Sequence, residues 1–243
     1  MSNLPPSRLL VAVACSVLAA CAIAACGGSE PAPKAPEPTP EAHDDAPSGA
    51  SVSAEIGGLS EEKVDKTFQS ALSDFQHCLD DGAKRVEFLG GSVSFFVKIN
   101  ERGKVDHAHL EKSTMGDRET EKCMLDSLGR KRWPKPVGGL HGLARKSFDF
   151  DPPNDVRAPT SWDGDRVSDV VSKLTRKLSA CKKGASGSFE ATLYVATDGS
   201  VLSAGVTPPD EPGEADVDCL VDTLKGASFP SPGSWPAKVT FSL

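Results

Sequence analysis

Residues 91–136 lie over residues 187–232 without a gap. Gly91-Ser92 falls on Gly187-Ser188, Gly103 on Gly199, Val105 on Val201 and Ala108 on Ala204. Cys123 then falls on Cys219, Asp126 on Asp222, Leu128 on Leu224, and Trp133-Pro134-Lys135-Pro136 on Phe229-Pro230-Ser231-Pro232. Glycine, cysteine and proline are prominent among these coincidences. Such residues set turns and crosslinks, so the duplicated unit is a fold rather than a single binding motif.

Each copy carries the same order of elements. Val64, Phe68, Ala71, Leu72, Phe75 and Cys78 share one helical face, with Ser60 as N-cap and Glu61 and Glu62 in the first turn. Val167, Val171, Leu174, Leu178 and Cys181 repeat that face. Strands alternating Val93, Phe95, Val97, Ile99 and Phe189, Ala191, Leu193, Val195 come next. Turns at Asn100–Gly103 and Thr197-Asp198-Gly199 lead into return strands at Lys104–Leu110 and Ser200–Val206. A second helix is expected over Arg118–Leu128 and over Ala215–Leu224, and closing strands over Ala144–Phe150 and Ala237–Leu243. The expected fold class is α+β: two tandem αββαβ modules, 59–151 and 160–243, joined at Asp151-Pro152-Pro153-Asn154. Each would be a three-stranded antiparallel sheet with two helices and one disulfide.

Modules this small have thin cores and often need crosslinks. Cys78, Cys123, Cys181 and Cys219 form an even, repeated set, and only the pairing Cys78–Cys123 with Cys181–Cys219 respects the repeat. Each bridge would close a loop of about 40 residues, worth roughly 4 kcal/mol in the chain-entropy account. Zinc or redox roles are disfavoured, because no CxxC and no histidine at ligand spacing accompanies these cysteines.

The N-terminal part carries an address. Residues 1–25 read as a secretory signal, with Arg8 before an apolar run from Leu9 to Ala25 that is short for a membrane span. The run ends in two overlapping lipobox-like tetrapeptides, closing on Cys21 and on Cys26. Cys26, followed at once by Gly27-Gly28-Ser29-Glu30, is the preferred lipidated residue and Cys21 the alternative. Neither has an aspartate next to it, which favours the outer membrane, facing the periplasm. Residues 26–58 read as a solvated tether reaching up to about 90 Å, proline alternating from Ser29 to Pro47 with alanine and with Glu30, Glu37, Glu41, Asp44 and Asp45.

One stretch resembles a known family. Gly91-Ser92-Val93, Gly103-Lys104-Val105, Ser113-Thr114-Met115-Gly116-Asp117, Glu121-Lys122-Cys123 and Arg130-Lys131-Arg132-Trp133-Pro134-Lys135-Pro136-Val137-Gly138-Gly139 are similar to the AgmX/PglI C-terminal domain. That domain is TonB C-terminal-like and occurs in myxobacterial-type envelope lipoproteins. The second module departs from it: Thr207–Gly213 replaces the Ser-Thr-x-Gly-Asp turn and Phe229 the tryptophan. The resemblance implies binding within the envelope, in some members as part of gliding-motility or TonB-like trans-envelope machines. It also implies partner capture by strand addition at an open sheet edge.

Candidate chemistry is sparse. His107 and His109 share one strand face and read as solvent-facing residues rather than a metal site; His77 and His141 have no fixed neighbour at useful spacing, and His43 reads as a solvated tether residue. No nucleophile elbow, phosphate-binding glycine loop or paired-carboxylate pattern is present, so neither an enzyme nor a cofactor is expected. Trp133 reads as a core plug. The net charge of −7 argues against nucleic acid or bulk anionic lipid as partner. Yet Arg130, Lys131, Arg132, Lys135, Arg145 and Lys146 crowd the end of the first module, a candidate patch for an acidic envelope protein or peptidoglycan. The closing strand Ala144–Phe150 is the expected contact edge. Attachment to the membrane is expected through the N-terminal lipid alone.

Overall fold

A computed structural model describes residues 54–153, 155–183, 185 and 187–243. Both lipidation candidates, the signal and most of the expected tether lie outside the described residues. The first module runs β1 (Ala54–Ile56), α1 (Glu61–Ala83), β2 (Gly91–Asn100), β3 (Val105–Ser113), α2 (Arg118–Arg130) and β4 (Gly139–Phe150). The second runs β5 (Thr160–Trp162), α3 (Asp165–Cys181), β6 (Glu190–Val195), β7 (Val201–Thr207), a 3₁₀ turn (Pro212–Asp216), α4 (Val217–Lys225) and β8 (Ala237–Ser242).

The α+β class and the repeated element order hold, but each sheet has four strands, not three. Their orders are β1-β4-β2-β3 and β5-β8-β6-β7. The fourth strand is the three-residue β1 or β5, pairing parallel to the closing strand in an otherwise antiparallel sheet. Three residues are too few to show a period, so these strands left no pattern to read. β1 also occupies part of the stretch expected to be tether. The second helix of module two begins as the 3₁₀ turn, with Pro212 at its start.

The apolar faces pack as the periodicity requires. Val64, Phe68, Ala71, Phe75 and Cys78 of α1 are buried against Val93, Phe95, Val97 and Ile99 of β2. Phe75 stacks on Phe95 at 5.2 Å. Val167, Leu178, Phe189, Leu193, Leu220 and Leu224 build the second core. Cys78–Cys123 ties α1 to α2, and Cys181–Cys219 ties α3 to α4, with Cα separations of 5.7 and 5.6 Å.

The modules do not hang apart on a linker; they form one compact unit. The face of the second sheet that points away from its own helices is covered by the first module. Tyr194 on that face belongs to the first core, packs on Phe88 at 5.6 Å and donates to the Gly90 carbonyl at 3.1 Å. Lys238 donates to the same carbonyl at 2.6 Å. Ser203 bonds Asp117, while Arg118 pairs with Glu214 at 2.7 Å and Asp218 at 2.8 Å. Backbones meet closely here, since a Cβ on Gly116 would stand 2.8 Å from Thr192.

Charges buried in this junction are perturbed. Burial pushes the Glu121 carboxyl up to about 7 against a bond from Ser113. Burial would also raise Asp117, but bonds from Arg85, Ser203 and Thr120 hold it below the usual carboxylate range. Lys238 is pushed down to about 8 by burial, with the Glu121 charge opposing.

Candidate anion-binding groove

The chain reverses between β2 and β3 through a turn held by the Asn100 side chain. Its oxygen accepts from the backbone N–H groups of Arg102 at 2.9 Å and Lys104 at 3.1 Å. Gly103 sits in this turn at φ +74, and a Cβ there would stand 2.4 Å from the Trp133 carbonyl. Only glycine meets both demands. The Trp133 N–H donates to the Gly103 carbonyl at 3.0 Å, joining the turn to the segment after α2. The indole is buried edge-on against Phe68, and its Nε1 donates to Leu128 at the end of α2. Trp133 is therefore the core plug the prolines around it suggested, and it fixes the backbone that carries its basic neighbours.

Between these two segments runs a groove of about 440 Å³. Arg130, Lys131, Arg132 and Lys135 line it from one side, and Arg102 and Lys104 from the other. The last two were missed by sequence reading because they lie far along the chain; the Gly103 match to Gly199 was the signal that could have found them. Some of this charge is answered locally. Lys131 pairs with Asp74 at 2.8 Å, holding that carboxyl below its ordinary value, and Arg102 lies 4.0 Å from Glu101. Among the described residues, no carboxylate pairs with Lys104, Arg130, Arg132 or Lys135. Guanidinium and ammonium groups around one concavity suit a carboxylate or phosphate, the planar forks taking two oxygens at once.

Arg145 and Lys146 do not join this site, which corrects the patch expected from sequence. Arg145 lies over the Phe96 ring at 4.7 Å and pairs with Glu111 at 2.7 Å. Lys146, on the opposite face of β4, reaches Asp65 of α1 at 2.9 Å. At the closing strand, β1 pairs only with Gly139 and His141; among the described residues no strand pairs with Ala144–Phe150 on the side away from β2, and β1 and β3 are the outer strands.

The second module repeats the scaffold without the charge. Gly199 sits at φ +86 with a Cβ position 2.1 Å from the Phe229 carbonyl, and Phe229 donates to Gly199 at 2.8 Å. At the positions matching the six cations stand Asp198, Ser200, Gly226, Ala227, Ser228 and Ser231.

The histidine pair shares one face as expected, with Nε2 of His107 3.2 Å from Nδ1 of His109. His109 is buried rather than solvent-facing, under Phe96, and burial together with His107 lowers its pKa. Among the described residues no group of three or more His, Cys, Asp or Glu is placed to hold a metal, and no helix is long and apolar enough to cross a membrane. No protein-family model, curated protein or solved structure matches this chain.

Proposed function

We propose that the chain is a non-catalytic, lipid-anchored protein of the cell envelope that binds an anionic partner, protein or cell wall, through the groove of its first module. The observation that carries this reading is the contrast between the modules. The stapled turn stands in both, yet the second supports it with none of the six cations. Support of the turn therefore does not account for Lys104, Arg130, Arg132 and Lys135, which pair with no carboxylate among the described residues, and exposed like charges set around one concavity repel unless an anion joins them. The second module acts as a support, covering the first module's end with its sheet.

Replacing Arg130, Arg132 and Lys135 by glutamate tests this. Crosslinking in intact cells, followed by mass spectrometry of captured partners, should show at least a several-fold loss of capture. Thermal stability should stay within about 1 kcal/mol, as for exposed sites. Lys225→Glu in the second module should leave capture unchanged. Undiminished capture by the triple variant overturns the reading.

A further inference from the structure

The end of the first module that holds the groove has a second feature, which the groove alone does not use. Val137 is 78% exposed, and Leu140 and Ile56 are each 49% exposed. These are three of the four large exposed hydrophobics among the described residues. Val137 bridges Gly58, two residues beyond Lys135, and Ile56 pairs beside His141. Leu140 lines a shallow cleft of about 340 Å³ that meets the cationic groove at Arg102. Aliphatic side chains and a ring of cations thus share one end of the module. Solvent-facing aliphatics beside cations are the composition of surfaces that lie on anionic bilayers.

The path of the chain is compatible with such a contact. It enters the described fold at Ala54–Ile56, paired with Gly139–His141, so the residues before Ala54 join at this end. A tether joining here leaves this end free to meet the membrane, and its reach of up to about 90 Å does not by itself choose the face. The net charge of −7 opposes such a contact only weakly at this end, because charges beyond about 10 Å are screened at 0.1 M salt and the local excess is cationic. Of the acids nearby, Glu101 lies beside Arg102, and Asp106 is engaged by Asn100 at 2.6 Å and His141 at 3.1 Å.

We infer that this end of the first module seats on an anionic bilayer surface, with lipid phosphates in the groove and Val137, Leu140 and Ile56 entering the headgroup boundary. The inference rests on the reading of the groove as an anion site, and puts lipid phosphate there where the proposed function has a protein or cell-wall anion. Basic side chains at an anionic surface add to the hold that a lipid anchor gives.

Hydrogen exchange of the full lipidated chain in vesicles tests it. With phosphatidylglycerol present, peptides covering residues 129–141 should exchange several-fold more slowly than in pure phosphatidylcholine. That slowing should vanish at high salt and in Val137→Asp/Leu140→Asp, while peptides from α3 and β8 report an intact fold. Equal exchange in the two vesicle types overturns the inference. So does equal slowing by soluble glycerol phosphate at matched phosphate concentration, or by polyglutamate with no response to phosphatidylglycerol. These last two outcomes leave the groove an anion site and remove the membrane from it; loss of partner capture in the crosslinking experiment concerns the groove alone.

Discussion

Gly103 and Gly138 both have positive φ, at +74 and +78, but they differ in surroundings. A methyl group on Gly103 would strike the Trp133 carbonyl at 2.4 Å, whereas at Gly138 nothing lies within 4 Å. Gly138→Ala should therefore cost about 1 kcal/mol, the left-handed backbone penalty alone. Gly103→Ala should cost more, about 2–4 kcal/mol, because the obstacle is backbone and the bond between turn and plug must stretch. Denaturant titration of the two variants measures the difference; equal losses would show that the turn and the Trp133 segment are not stapled. The same comparison bears on the groove, since Arg102 and Lys104 are aimed by that turn. Gly103 was legible as a turn residue from its match to Gly199. The close approach to Trp133 was not, because it joins segments distant in sequence.

Among the elements, the helix pairs depend on their bridges. Cys78–Cys123 closes a separation of 45 residues and Cys181–Cys219 one of 38. Removing either by paired alanine substitution should cost roughly 4 kcal/mol, less whatever native strain it relieves. Non-reducing peptide mapping of the wild type should show only these two pairs, and cross-module pairs would break the repeat argument. Helix faces and central strands were readable because each buries one side against one neighbour, leaving a clean period of 3.6 or 2. β1 and β5 were not, since their short lengths gain order only from hydrogen bonds to β4 and β8. The cations divide in the same way. Arg130 to Lys135 stay together because they are consecutive, whereas Arg145 and Lys146 alternate across β4 and face opposite sides.

At the scale of the whole fold, the module junction should make stability depend on pH in two separate windows. Glu121 holds its proton to about 7 in the folded state, above its ordinary 4.5. Between those values the folded chain binds more protons than the unfolded, so stability is fullest below 4.5 and falls as pH rises towards 7. Lys238 behaves oppositely. Its folded value near 8 lies below 10.5, so the unfolded chain binds more protons there and stability rises with pH across that range. Each slope is at most about 1.4 kcal/mol per pH unit for one proton. Urea titrations across pH should show both; Glu121→Gln should flatten the lower window and Lys238→Met the upper. An unchanged profile in Glu121→Gln would assign the lower slope to other carboxylates.

By itself, the sequence determined the duplication, the helical and strand faces, the disulfide pairing and the plug role of Trp133. Each of these is written in local spacing or in a direct comparison of the two copies. Tertiary structure alone decided which second face is buried, which cations converge and how the modules meet. The alternation in β6 puts Tyr194 opposite the helices, a position that reads as solvent-facing until another module covers it. Arg102 and Arg132 become neighbours only when a glycine turn and a tryptophan segment are joined by a hydrogen bond. Contacts between distant segments form when whole elements pack, and no period or spacing along the chain records them.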